Sequence, residues 1–116
     1  MLDKKTDAEN GAEYIQKIVG RNIREARLAM NITQAQLAKK CRLSPSFITE
    51  IENGRKYPGA YTLCQLAEIL GLRPYQLFFS DEDRKNFDKA TLLHKLDAEL
   101  EKNVASIIKE TVKRYS

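Results

Sequence analysis

Two helix-start signals stand eleven residues apart in the stretch Thr33 to Gly54. Starts that close leave room only for two short helices and a tight turn. Thr33 with Gln36 three residues on forms a capping box: the hydroxyl accepts an orphan helix N–H and the amide reaches back to the cap. Ile32 and Leu37 flank it as a hydrophobic staple. The second start is Ser44 as N-cap, with Pro45 at the first helical position, where its missing N–H costs nothing. Leu43 and Ile48 staple this start. Asn53-Gly54 then supplies a left-handed stop. The turn has about three or four residues, the spacing of a helix-turn-helix.

Leu37, Ala38, Cys41, Ile48 and Ile51 fall on the facing sides of the two helices, with Ala38 small where they approach. The second helix leaves Pro45, Ser46, Thr49, Glu50 and Asn53 outside. From Gly20 to Pro58 the chain carries eight Lys and Arg against three acids, a net of five positive charges. A polar helix face inside a basic segment suits entry into the major groove of double-stranded DNA, where side chains reach base edges.

The flanking segments complete a small helical domain. Residues 1–9 are polar and are expected to be disordered. Asn10 with Glu13 offers a helix cap. Tyr14, Ile15, Ile18, Val19, Ile23, Ala26 and Met30 then recur at helical spacing. Gly20 costs that helix about 1 kcal/mol against Ala, so residues 1–13 are expected to form a disordered or frayed arm. Arg55 to Gly59 is a loop, because Pro58 bars helix at Tyr57. A fourth helix follows from Ala60 to Leu70, with Leu63, Leu66, Ala67 and Leu70 inward and Gly71 as its stop. Pro74 opens a short fifth helix, and Phe78 and Phe79 are expected to close the base of the core. The domain therefore spans 14–79.

These elements together resemble the phage-repressor type of helix-turn-helix domain, the XRE-like group. The resemblance rests on Arg21, Ile23, Arg24 and Arg27; on Thr33, Gln34, Leu37 and Ala38; on Ser44, Ile48, Ile51, Glu52, Asn53, Gly54, Arg55 and Pro58; and on Leu63, Leu66, Ala67, Leu70 and Gly71. It covers roughly residues 15–79. It implies an all-α, five-helix, lambda-repressor-like DNA-binding domain in a transcriptional regulator, more a repressor than an activator. An antitoxin or restriction-controller protein shares this fold, and an interaction module that has lost DNA binding is the reading from another class.

The resemblance also assigns residues. Ser44, Ser46, Thr49 and Glu50 match groove-facing positions. Pro45 stands where many relatives carry a polar base reader, so apolar contact with a thymine methyl is what it retains. Gln34 matches a position that contacts phosphate and braces the recognition helix, next to the cap Thr33. Asn53, Arg55 and Lys56 match the loop that grips the DNA backbone, and Arg21 and Lys40 are further phosphate candidates. Phosphate contacts position a protein without reading sequence. Arg27 and Glu52 match a partly buried structural ion pair.

Residues 80–116 form a different kind of segment. Ser80-Asp81-Glu82-Asp83 is an acidic helix start, and no Pro or Gly follows it. Leu92, Leu93, Leu96, Leu100, Val104, Ile107, Ile108, Thr111, Val112 and Tyr115 make an apolar stripe in steps of three and four. Eight acids and eight bases leave this stretch neutral, which argues against a second DNA-binding arm. A lone helix cannot bury such a stripe. The expectation is a homodimer interface through Leu96, Leu100, Val104, Ile107 and Ile108, with back-packing on Phe78 and Phe79 as the alternative. Asn103 is a point at which the helix could break.

Other chemistry finds no support. Cys41 and Cys64 lie on apolar helix faces without CxxC spacing, and both read as buried reduced thiols. His94 is the sole histidine and has no Cys or His nearby in sequence. No P-loop, triad or carboxylate dyad is present, so no enzyme activity, cofactor or metal is expected. No run of eighteen apolar residues and no apolar leader occur, so a cytoplasmic protein without a membrane span is expected.

Overall fold

The computed structural model describes residues 6–115. The described residues form helices and connecting turns, with no strand among them. Five α-helices, α1 (Asp7–Ala29), α2 (Gln34–Cys41), α3 (Pro45–Glu52), α4 (Ala60–Leu70) and α5 (Asp81–Tyr115), are joined by short turns, and a 3₁₀ segment, Pro74–Phe78, follows α4. The fifth helix of the small domain is thus this tighter 3₁₀ segment. The chain divides into two compact units, residues 1–80 and 81–116. No helix among the described residues is long and apolar enough to cross a membrane.

α1 begins earlier than the sequence signals at Asn10 or Tyr14 suggest. Thr6 is its N-cap: the Thr6 hydroxyl accepts from the Glu9 N–H at 3.1 Å, and the Thr6 N–H donates to Glu9 Oε2 at 2.9 Å. Asp7 and Glu9 add negative charge at the positive end of the helix dipole. Residues 7–13 are therefore the first two turns of α1, not a frayed arm; residues 1–5 of that expected arm lie outside the described residues. α1 ends at Ala29, with Asn31 taking the left-handed conformation at φ 57° that its short polar side chain tolerates.

The buried stripe of α1 is narrower and more polar than expected. Val19, Gly20, Asn22, Ile23 and Arg27 are buried, whereas Tyr14, Ile15 and Met30 are exposed. Gly20 is no defect. A Cβ there would collide with the Ile51 carbonyl oxygen and stand 2.9 Å from that of Glu52, so glycine lets α1 approach the end of α3. Asn22 reaches the other way: its Nδ2 donates to the carbonyls of Leu77 at 2.7 Å and Phe79 at 2.8 Å, tying the 3₁₀ segment to α1.

Leu37, Ala38, Cys41, Ile48, Ile51, Leu63, Leu66, Ala67 and Leu70 are all buried, as their spacing requires. The base of the core is closed by Leu77, which is fully buried. Phe78 is exposed, and Phe79 is half-buried against Tyr75, with ring centroids 5.7 Å apart. The pair Phe78–Phe79 was the more conspicuous signal, but a 3₁₀ turn directs one residue in three inward. Cys64 is exposed, not buried. It follows Leu63, one helical step of about 100° off the apolar stripe of α4. Cys41 is buried, and burial pushes its thiol pKa up.

α5 runs unbroken for 35 residues, straight across Asn103. None of its residues is buried, and Leu96, Leu100, Val104, Ile107 and Ile108 are each about half or more exposed.

Candidate nucleic-acid interface

The pair α2–α3 is built as the two start signals require. Thr33 caps α2: its hydroxyl accepts from the Gln36 N–H at 3.0 Å, and its own N–H donates to Gln36 Oε1 at 2.8 Å. Ser44 caps α3, its Oγ accepting from the Phe47 N–H at 3.1 Å. Between them Arg42 turns the chain in the left-handed region, φ 56°, and the Leu43 N–H closes on the Ala38 carbonyl at 2.9 Å. Arginine carries no sequence signal for that conformation, which is why the turn was legible only from its two flanking caps. Gly54, φ 73°, ends α3 and packs over the backbone of Lys17.

Behind α3 runs a chain of hydrogen bonds that crosses three helices. Arg27 meets Glu52 in a forked pair, Nε to Oε2 at 2.8 Å and Nη2 to Oε1 at 3.0 Å, while its Nη1 donates to the Ile32 carbonyl at 2.9 Å. Glu52 Oε1 also accepts from Gln34 Nε2 at 3.2 Å. A carboxylate only accepts, so Gln34 must turn its NH₂ to Glu52 and its carbonyl outward. That carbonyl accepts from the Thr49 hydroxyl at 2.9 Å. The Pro45 carbonyl lies 3.1 Å from the same hydroxyl and competes for its single hydrogen. Gln34 thus braces α3, and Thr49 is turned partly back toward α2.

The remaining candidates divide by exposure. Ser44, Pro45 and Ser46 are exposed at the start of α3, and Asn53 and Arg55 are exposed at its end. Lys39, Lys40 and Arg42 are exposed on and just after α2; Lys39 and Arg42 belong to the same basic surface although no motif position singled them out. Arg21 sits on α1 with its Nε 3.8 Å from Glu25 one turn on. Glu50 and Lys56 are brought together rather than left separate: Lys56 Nζ is 2.7 Å from Glu50 Oε2, and the Arg55 and Lys56 N–H groups both close on the Glu50 carbonyl, at 2.9 and 3.3 Å. Lys56 Nζ also stands 6.0 Å from the centroid of the Phe47 ring. Phe47 therefore shapes this edge, a role its apolar character concealed.

The geometry offers an exposed polar helix face, exposed cations on the segments before and after it, and a hydrogen-bonded brace behind it. Among the described residues no three His, Cys, Asp or Glu side chains gather where a metal could sit.

Comparisons with known proteins follow the same segment. Residues 23–77 match the helix-turn-helix family model. An HTH-type transcriptional regulator of Sinorhizobium fredii, itself uncharacterized, is 30% identical over 63 residues, 54% of this chain and 82% of that one. The immunity repressor protein of Bacillus phage phi105 is 40% identical over 55 residues, 47% of this chain and 38% of the repressor. The chain spans between about a third and a half of the length of several curated relatives it matches. Among solved structures, the restriction-modification controller protein of Aeromonas hydrophila superposes with a TM-score of 0.52 at 28% identity, covering 54% of this chain and 96% of that one.

Proposed function

We propose that this chain, which belongs to the helix-turn-helix family, is a sequence-specific double-stranded DNA-binding transcriptional regulator that acts as a repressor. α3 enters the major groove. Ser46, with Ser44 and Pro45 beside it, faces the base edges, together with the outward atoms of Thr49 and Glu50. Thr33, Gln34, Asn53, Arg55 and Lys40 engage phosphates, with Arg21 and Lys56 as further cations. The observation that carries this reading is the exposed face of α3 set among cations and held from behind by Gln34 and Glu52. The phage relative, an immunity repressor by name, favours repression over activation.

A single such unit reads only part of a helical turn, and two copies on paired half-sites supply the rest. The exposed stripe of α5 supports a homodimer through Leu96, Leu100, Val104, Ile107 and Ile108. The protein is cytoplasmic in this reading and needs neither cofactor nor catalysis. A restriction-controller role is the second reading, favoured by the near-complete coverage of the Aeromonas controller.

The test is a mobility shift on random and on enriched DNA at several salt concentrations. Affinity should fall log-linearly with salt, by a slope of about 0.9 per phosphate neutralised. Binding indifferent to salt, or no enrichment of any sequence, would overturn the proposal.

A further inference from the structure

The exposed stripe of α5 repeats every eleven residues: Leu93, Val104 and Tyr115; Leu96 and Ile107; Leu100 and Thr111. An eleven-residue repeat, about 3.67 residues per turn, keeps a stripe facing a partner helix through a gentle right-handed supercoil, where a heptad would impose a left-handed one. α5 runs unbroken across Asn103, so the repeat is carried on one continuous helix.

The stripe is also nearly symmetric about its own centre. Leu100 and Ile108 stand four residues either side of Val104, Leu96 and Val112 eight, and Leu93 and Tyr115 eleven. Net charge, by contrast, reverses sign across Val104, with Glu99 mirrored by Lys109 although Lys95 is mirrored by the like charge Lys113. Residues 93–101 carry Asp97, Glu99 and Glu101 against Lys95, a net of two negative charges. Residues 107–115 carry Lys109, Lys113 and Arg114 against Glu110, a net of two positive charges.

Resting on the dimeric reading above, we infer that α5 pairs with α5 of a second copy in antiparallel orientation, with the two-fold axis at Val104. A two-fold interface requires that if position i meets j, then j meets i. Apolar residues placed symmetrically about Val104 satisfy this, and each acidic third then lies along the partner's basic third. Parallel pairing would set Asp97, Glu99 and Glu101 beside their own copies and Lys113 and Arg114 beside theirs, which is repulsive. The opposed helix dipoles add to the preference. The occupant of this face is thus the chain itself, because its charge pattern complements its own reverse.

Cysteine cross-linking of the full chain, in a Cys64→Ser background to remove the exposed thiol, reads the orientation. In the antiparallel pair two copies of residue 93 lie ~33 Å apart, 22 residues at 1.5 Å each, far beyond disulfide reach. Under mild oxidation Val104→Cys should link to itself and Leu93→Cys should not. A mixture of Leu93→Cys and Tyr115→Cys chains should form the mixed link. Self-linking of Leu93→Cys, or a dimer that forms no mixed link, would overturn the antiparallel register and leave the dimer standing. Sedimentation of the unsubstituted chain as a monomer at micromolar concentration would overturn both.

Discussion

Arg27 and Glu52 are joined through two parallel hydrogen bonds, 2.8 and 3.0 Å, with only 9% and 1% of their side chains exposed. The pair links the end of α1 to the last turn of α3, and Glu52 in turn holds Gln34. Removing one partner strands a charge in the interior, which costs about 3–5 kcal/mol at full burial. Arg27→Ala should therefore lower the melting temperature markedly, at about 4–8 °C per kcal/mol for a unit of this size. The double variant Arg27→Met with Glu52→Met should lose less than either single change, as circular-dichroism melts would reveal. Equal losses would mean that the pair is held for its attraction alone.

Gly20→Ala should destabilise the protein, although alanine ordinarily gains about 1 kcal/mol over glycine inside a helix. The new Cβ would strike the backbone oxygens of Ile51 and Glu52, which cannot move without shifting α3. Urea unfolding gives the sign directly; a stabilised variant would show that α1 and α3 can part at no cost.

Glu50→Gln should raise affinity for non-specific DNA at low salt and leave stability within ~1 kcal/mol, the usual worth of an exposed ion pair. The change releases Lys56 and removes an acidic side chain carried by α3. Fluorescence anisotropy on random duplexes measures it. Unchanged affinity would place Glu50 and Lys56 away from the DNA.

Arg55→Ala should weaken binding to every sequence alike and reduce the salt slope by about one. Ser46→Ala should instead change preference at particular base pairs, by about 1–3 kcal/mol where a good contact is lost. Competition titrations against a library of variant sites separate the two patterns, and a uniform loss at Ser46 would remove it from the groove face.

Native protein at neutral pH should be alkylated at Cys64 and spared at Cys41. The thiolate is the reactive form, and burial both shields Cys41 and pushes its pKa up. Mass spectrometry after brief treatment with iodoacetamide would show one label, and two labels would indicate that the interior opens readily.

The legible part of the fold is the part written in local chemistry. Thr33, Ser44 and Pro45 mark helix starts because caps act within three residues, and Leu37, Ile48, Leu63 and Leu66 declare the core by period. What local sequence does not reveal depends on partners distant in the chain. Asn22 looks like a polar interruption until the carbonyls of Leu77 and Phe79, more than fifty residues away, arrive to accept from it. Gly20 reads as a weak point until Ile51 and Glu52 fill the space a side chain would need. At the candidate interface, the bracing of α3 by Gln34 was readable through resemblance. The mutual capture of Glu50 and Lys56 was not, because only the bend after Gly54 brings them together.

Between Gly20 and Arg27, α1 carries the close approach to α3, the Asn22 clamp on the 3₁₀ segment and the tie to Glu52. α3 therefore cannot loosen without releasing α1, and releasing α1 dissolves the core that α2 and α4 share. Opening of α3 and unfolding of the unit formed by α1 to α4 become the same event, so backbone amides of α3 should exchange with solvent only as fast as those of α1. The face proposed to meet DNA is then already ordered before any encounter, and association need not supply the entropy of ordering it.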